Sequence, residues 1–422
     1  MAEKEYLYTE DEVRKMWERE PEEQYQIALA KCLEAITRMD GEVAVSFSGG
    51  KDSAVLLYIM ACAWTLSSHK AEPLRVFFAD TSNEFISARK YRNDYIKWIE
   101  DKFGIRIEYH EARADDNYFN VVDTVGLPFI SKKVSRMIRD AKEMFKKLGL
   151  KYADIESRMP QHYTAKHIES MIEAADYMRG LGFSDTVILN LTKIRSDNKI
   201  GRRFLPVQYR PIIDNDNIEL SEKCCDILKK GPLKKTEREM GHFLPVTGEM
   251  AMDSRDRMTA YRMTGCNLFD SDRPKSKPLG PMTEQAILQF IYTRKVPIMP
   301  PYGECKCNDC GEYKLTGEQR TGCKLCGFGI MYDPERFLRL NEFEPKIVKF
   351  AFTSKENGGL GYREICQFLN EYCGMKIAIP EVEDGYYKRR SLDYQEKRRK
   401  EAEVKQSERK ESGSRIDAGQ SV

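Results

Sequence analysis

Val43–Met60 reads VAVSFSGGKDSAVLLYIM. Val43–Phe47 is short, apolar and rich in β-branched residues, the pattern of a buried strand. Ala54–Ala63 is almost wholly apolar and long enough for a helix packed on a sheet. Between them stand Ser48, Gly49, Gly50, Lys51, Asp52 and Ser53. The order is strand, Gly-rich turn, helix. The glycines open backbone angles closed to other residues and let a ligand approach the main chain. Ser48, Asp52 and Ser53 are expected to cap the new helix. The free N–H groups at its start, with Lys51 beside them, make a seat for phosphate. The spacing is too compact for the Walker pattern.

Outward from this stretch the chain reads as alternating strands and helices. Leu74–Ala79 (LRVFFA) is expected as the second strand, and one helix with a short loop suits a right-handed crossover between the two. Asp80–Phe85 (DTSNEF) follows directly. Ligands of open parallel sheets bind outside the carboxyl ends of the strands, so Asp80 and Glu84 are expected at the same crevice, or as caps of a helix over Ile86–Phe103. Ile105–Tyr109, Thr186–Leu191 and Phe243–Thr247 are expected as further strands. The fold class is therefore α/β, with a doubly wound, mainly parallel sheet and helical additions at both ends.

The remaining segments divide the chain. Residues 1–40 read as an amphipathic helical segment, broken at Pro21. A nucleotide-binding domain is expected over 41–345, including a Cys-rich segment at 300–330. Lys132, Lys133 and Arg136 near a helix start at Ser131 form either a solvated basic face or a second anion clamp, and Arg202 and Arg203 are further anion candidates. Ala141–Gly182 is expected to be helical, Lys193–Arg203 a loop, and Leu268–Pro281 a Pro/Ser/Lys loop. A helix capped by Thr283 runs to Arg294. A small helical piece over 346–384 precedes a charged tail, 385–422, whose bases and acids interleave; it reads as disordered or as a frayed helix.

Composition bounds the function. The charged share is 32% and the hydrophobic share 41%, which suits a soluble globular protein. The net charge of +2 gives no global pull toward nucleic acid, which leaves that partner unsupported, or toward a membrane. The longest apolar run, Ala54–Trp64, is too short to span a bilayer. The N-terminus lacks a signal-peptide core, and a cytoplasmic protein is expected. In that compartment cysteines point to metal or redox chemistry rather than to disulfides. Cys32, Cys62, Cys366 and Cys373 lie among apolar residues and read as core.

The clustered cysteines carry more. Cys224 and Cys225 are adjacent in SEKCCDILKKGPL, and Cys323 and Cys326 form a C-x2-C in RTGCKLCGFG. Thiolates are soft ligands that suit zinc and iron–sulfur clusters, and four of them can hold one cubane. Taken alone, Cys307-x2-Cys310 with Cys323-x2-Cys326 has zinc-ribbon spacing. Arg255 and Arg257 offer guanidinium forks to phosphate or sulfate, or belong to a surface helix.

At these residues the chain resembles the phosphoadenosine phosphosulfate (PAPS) reductase family of the adenine-nucleotide α-hydrolase-like superfamily. The matching stretches are SFSGGKDS at 46–53, DTSNEF at 80–85, KCCDILKKGPL at 223–233 and TGEMAMDSRDR at 247–257, covering about 41–330. Glu249 stands where the family usually has an arginine. The cysteine pattern is similar to that of the adenylyl-sulfate reductase branch. It implies a [4Fe–4S] cluster on Cys224, Cys225, Cys323 and Cys326, leaving Cys305, Cys307 and Cys310 for a second metal or as free thiols.

The resemblance implies an enzyme that holds an adenine nucleotide (adenylyl sulfate, PAPS or ATP) on Ser48–Ser53. Lys51 would offset developing charge, Asp52 would hold Mg²⁺ in an ATP reaction, and Asp80 would sit by the ribose or adenine. The family's reductases use a Glu-Cys-Gly cysteine on a C-terminal tail and thioredoxin as reductant. Here no cysteine follows Cys373, which lies in Tyr-Cys-Gly among helix formers. An ATP pyrophosphatase-type sulfurtransferase, served by another sulfur or electron donor, is therefore the second reading. A non-catalytic nucleotide-binding protein with a zinc ribbon is the third.

Overall fold

The computed structural model describes residues 6–388 and 390. Two compact units share the chain. The first comprises residues 1–121 and 223–324, the second 122–222 and 325–422. The expected domain over 41–345 contributes to both.

In the first unit, helices α1 (Glu10–Trp17) and α2 (Pro21–Arg38) precede strand β1 (Val43–Ser46), helix α3 (Lys51–Leu66), strand β2 (Leu74–Asp80), helix α4 (Ile86–Phe103) and strand β3 (Ile107–Arg113). After residue 222 come helix α5 (Gly231–Met240), strand β4 (Leu244–Val246), helix α6 (Arg255–Thr264), strands β5 (Asn267–Leu268) and β6 (Lys275–Ser276), and helix α7 (Glu284–Arg294). A hairpin of β7 (Cys305–Cys307) and β8 (Tyr313–Leu315) follows.

The six-stranded sheet runs β3-β2-β1-β4-β6-β5. All its pairings are parallel except β5 with β6. This is the expected mainly parallel α/β class. Val45 of β1 faces Val76 on one side and Val246 on the other, so β1 is flanked by strands on both edges. Its uniform apolar run follows from that position, since a strand covered on both faces has no solvent side to show. α3 is apolar around its circumference because α2, α4 and α7 pack against it. The strand order turns at β1: β2 lies to one side and β4 to the other. Such a switch point opens a crevice at the carboxyl ends of the strands, and Ser48–Ser53 occupies it.

Several expectations shift. β3 begins at Ile107 rather than at Ile105 and extends to Arg113. Leu268–Pro281 is not wholly loop, because β6 and the last residue of β5, Leu268, fall in it. Two-residue strands carry no periodicity to read. The vicinal cysteines lie on a helical turn, Lys223–Cys225, followed by a π-helical turn, Asp226–Lys230.

The second unit corrects the sequence reading most. Thr186–Leu191, expected as a strand, lies in a helix, Asp185–Thr192. Its run is too short for periodicity to separate strand from helix. Ser184 stands at its N-cap in extended conformation, and the helix packs on helix Ile168–Gly180. The Thr192 hydroxyl donates to the Ile188 carbonyl at 2.8 Å, one helical turn back. Helix Lys132–Leu148 is capped by Ser131 as expected, its hydroxyl accepting from the Val134 N–H at 3.2 Å. Helices Pro345–Phe352 and Tyr362–Cys373 fall in the stretch expected to be helical, 346–384, apart from Pro345, and a further helix, Arg336–Phe343, precedes it. The tail beyond residue 390 lies outside the described residues. Among those described, no helix is long and apolar enough to cross a membrane.

Candidate functional site

The Gly-rich turn is built by its own polar side chains. Phe47 continues the strand, its N–H donating to the Phe77 carbonyl at 2.9 Å. Gly49 then takes φ +80°, where a Cβ would sit 3.3 Å from Cγ of Arg92. Only glycine fits both that angle and that approach. Ser48 does not cap α3, and neither Asp52 nor Ser53 does: the N-cap is Gly50, without a side-chain hydrogen bond. Instead the Ser48 hydroxyl accepts from the Gly50 N–H at 3.3 Å and meets the Ser53 hydroxyl at 3.1 Å. The Ser53 hydroxyl in turn donates to the Gly50 carbonyl at 2.8 Å. The serines brace the turn and leave the helix mouth without a side-chain cap.

Lys51 begins α3 with its side chain only 3% exposed. Its ammonium meets Asp52 at 2.9 Å and Glu284 at 3.2 Å. Burial pulls its pKa down, but the two carboxylates outweigh burial and hold it above the ordinary lysine value, so the group stays charged. Glu284 is the first residue of α7, placed by the Thr283 cap as expected. Gly248 lies on the other side of the turn, where a Cβ would meet the Asp52 backbone at 3.4 Å. The TGEMAMDSRDR stretch therefore borders the turn.

Asp80 ends β2. It accepts from the Ser82 N–H at 2.8 Å and from Nε of Arg113 at 3.1 Å. Burial raises its pKa, yet hydrogen bonds from Glu84, Ser82 and Arg113 outweigh burial and hold it at about 2. Glu84 shifts the opposite way, pushed up by burial and by the Asp80 charge. Glu84 does not cap α4, whose N-cap is Phe85 without a side-chain bond. It accepts from the Thr81 N–H at 3.1 Å and the Thr81 hydroxyl at 2.7 Å.

That same threonine reaches the cysteines. Its hydroxyl lies 3.4 Å from Sγ of Cys323, and the Lys324 N–H donates to the Asn83 carbonyl at 2.7 Å. The Cys323 thiol is pushed up by burial, with Cys225 raising it further and Lys229 opposing. Cys323 thus shares its surroundings with Thr81, Glu84, Cys225 and Lys229. Cys224 is 6% exposed. Cys326 belongs to the second unit. Two buried or half-buried neighbouring thiols beside a lysine suit one side of a thiolate-held group. No set of three or more His, Cys, Asp or Glu is drawn together as a metal site among the described residues.

The other candidates are placed elsewhere. Arg257 is ion-paired with Asp253, and Arg320 joins the same carboxylate at 3.0 Å. Arg255 is exposed at the start of α6, and Glu249 is exposed before it. In the second unit, Arg136 and Arg139 meet the buried Glu222 at 2.8 and 3.1 Å, so these guanidiniums are already matched to a carboxylate. Lys132, Lys133, Arg202 and Arg203 are exposed. In the β7–β8 hairpin, Cys307 and Cys310 are exposed, and Cys305 donates to the Leu288 carbonyl at 3.4 Å. Cys32, Cys366 and Cys373 are buried, and Cys62 is half-buried.

Three residues of the site escaped the sequence reading. Glu284 and Arg113 pair with Lys51 and Asp80 from remote elements, and the Tyr302 hydroxyl accepts from the Lys51 N–H at 3.0 Å. None has a local pattern that marks it.

No protein-family model and no curated protein matches the chain. Among solved structures, one similar to it is the crystal structure of phosphoadenylyl-sulfate (PAPS) reductase from Candida auris in a phosphate complex. The two are 11% identical with a TM-score of 0.29, over 64% of this chain and 81% of that one.

Proposed function

We propose that this chain is an enzyme that holds an adenine nucleotide on Ser48–Ser53 and carries out sulfur chemistry beside Cys323. The observation that carries this reading is the buried, doubly paired ammonium of Lys51 at an uncapped helix mouth, where the sheet order turns. An ammonium kept charged out of water serves an anion that displaces or joins its carboxylates. Asp52 and Glu284 then either hold Mg²⁺ or yield to the phosphates. Asp80, kept ionised by Arg113 and Ser82, is an acceptor for ribose hydroxyls or the adenine amino group.

Cys224, Cys225, Cys323 and Cys326 are the thiols we assign to a [4Fe–4S] cluster. Such a group, when bound, supplies electrons or a sulfur-binding iron next to the nucleotide. The support in this chain is the shared environment of Cys225, Cys323 and Lys229. Thr81 links that environment to the end of β2.

Sulfur transfer driven by ATP is favoured over sulfonucleotide reduction. Cys373 is buried at the end of helix Tyr362–Cys373, and burial pushes its thiol up to about 11. A protonated, inaccessible thiol is a poor nucleophile. In the ATP reaction a substrate oxygen attacks the α-phosphorus. The bond to the bridging oxygen breaks, and pyrophosphate leaves with its electron pair. The test is incubation of anaerobically prepared protein with ATP, with adenylyl sulfate, and with PAPS plus thioredoxin, reading pyrophosphate and sulfite. Pyrophosphate from ATP is expected. If none of the three is consumed, the enzyme reading fails and a nucleotide-binding protein remains.

A further inference from the structure

Tyr302 is 2% exposed and fixed by its backbone. It ends the turn Pro300–Tyr302, and Gly303 follows at φ +66°, where a Cβ would collide with the Thr316 hydroxyl. The Gly317 N–H donates to the Tyr302 carbonyl at 3.0 Å and the Glu318 N–H to the Pro301 carbonyl at 2.8 Å. This zipper leaves the ring little freedom. Its hydroxyl oxygen accepts two hydrogen bonds, from the Lys51 N–H at 3.0 Å and from the Thr321 hydroxyl at 2.7 Å. A phenol oxygen has two lone pairs and one proton. Both lone pairs are used, and among the described residues no acceptor takes the proton. A buried donor without an acceptor costs free energy unless a ligand supplies one.

We propose that Tyr302 is a phosphate-recognising residue of the Gly-rich turn, whose phenolic proton is donated to the ligand anion. The inference rests on the nucleotide reading of Ser48–Ser53. The N–H groups of Asp52 and Ser53 have no side-chain cap, and the Lys51 ammonium stands beside them. With the Tyr302 O–H they are donors at one turn of the kind an oxyanion takes. The Lys51 N–H is not part of that set, because the phenol oxygen holds it. Thr321 fixes the direction in which the phenol proton points, by filling the second lone pair.

The test is equilibrium binding of pyrophosphate to the full chain as wild type, Y302F, T321V and the double variant, with K51M as control. Hydrogen exchange of the peptide covering 47–58 is followed without ligand. Loss of a hydrogen bond to a charged group is expected to weaken Y302F roughly tenfold or more. T321V is expected to weaken less, and the double variant no more than Y302F. Equal pyrophosphate affinity of Y302F and wild type would overturn the proposal. So would raised exchange across 53–58, beyond the Lys51 N–H that loses its acceptor, in ligand-free Y302F, since the hydroxyl would then be a structural strut. If wild type binds pyrophosphate no better than K51M, the nucleotide reading itself fails, which is a different result from a Y302F without effect.

Discussion

At the scale of single residues, the site is a set of charges that cancel one another before any ligand arrives. Lys51 is neutralised by Asp52 and by the half-exposed Glu284. Removing Glu284 leaves the ammonium short of one partner, so E284Q is expected to tighten pyrophosphate binding roughly threefold, the size of a partly exposed ion pair. K51M should weaken it by roughly thirtyfold or more, because the carboxylates of Asp52 and Glu284 then face the ligand without a cation. Titration calorimetry checks both, and an E284Q protein that binds more weakly would mean Glu284 helps hold the ligand. Asp80 gives the pH prediction. Its folded-state pKa of about 2 lies below the ordinary carboxylate value. Its contribution is therefore complete above about pH 4 and is lost as pH falls toward 2, on the order of 2 kcal/mol. D80N should lower the thermal midpoint at pH 7 and flatten its fall between pH 4 and pH 2. Parallel falls in D80N and wild type would show that other groups carry the acid limb. The position of the Gly-rich turn and of Asp80 at strand ends was legible in the sequence, because each is local to its strand. Tyr302 was not: it reaches Lys51 from 251 residues along the chain.

At the scale of elements, legibility tracks length and caps. α4 and α7 lie where their sequences put them, since each is long and, for α7, marked by Thr283 at its start. Helix Asp185–Thr192 was misread because eight residues give barely two turns of periodicity, and β-branched Val187 and Ile188 lean toward strand. β5 and β6 are set by pairing with neighbours rather than by their own residues. Thr283 joins element to site, because the cap that starts α7 also fixes Glu284 beside Lys51. T283A is expected to cost about 1 kcal/mol of stability, as helix caps do. It should also move pyrophosphate affinity in the same direction as E284Q, by less. A T283A protein that loses stability with no change in affinity would separate the cap from the site.

At the scale of the whole molecule, the α/β class was legible and the division into units was not. Chain crossings at 121, 222 and 324 leave no linker of Pro, Gly or Ser to read, since each falls within or beside regular elements or the cysteine segment. The crossing after Lys324 falls between Cys323 and Cys326, inside the C-x2-C itself. A group that binds only when all four thiols are supplied stabilises the folded chain by mass action. Anaerobically prepared wild type is expected to be brown, to hold about four irons per chain as the cubane stoichiometry requires, and to melt higher than iron-free protein. C224A, C225A, C323A and C326A should each lose the colour and the thermal gain, while C307A and C310A should keep both. The rival ribbon makes the reverse assignment: zinc without colour, lost in C307A, C310A, C323A and C326A and kept in C224A and C225A. Cys323 and Cys326 serve either metal, so the decision falls on the adjacent pair. A colourless wild type whose zinc survives C224A would remove the cluster from this chain and leave Cys225 beside Cys323 as two thiols near a nucleotide.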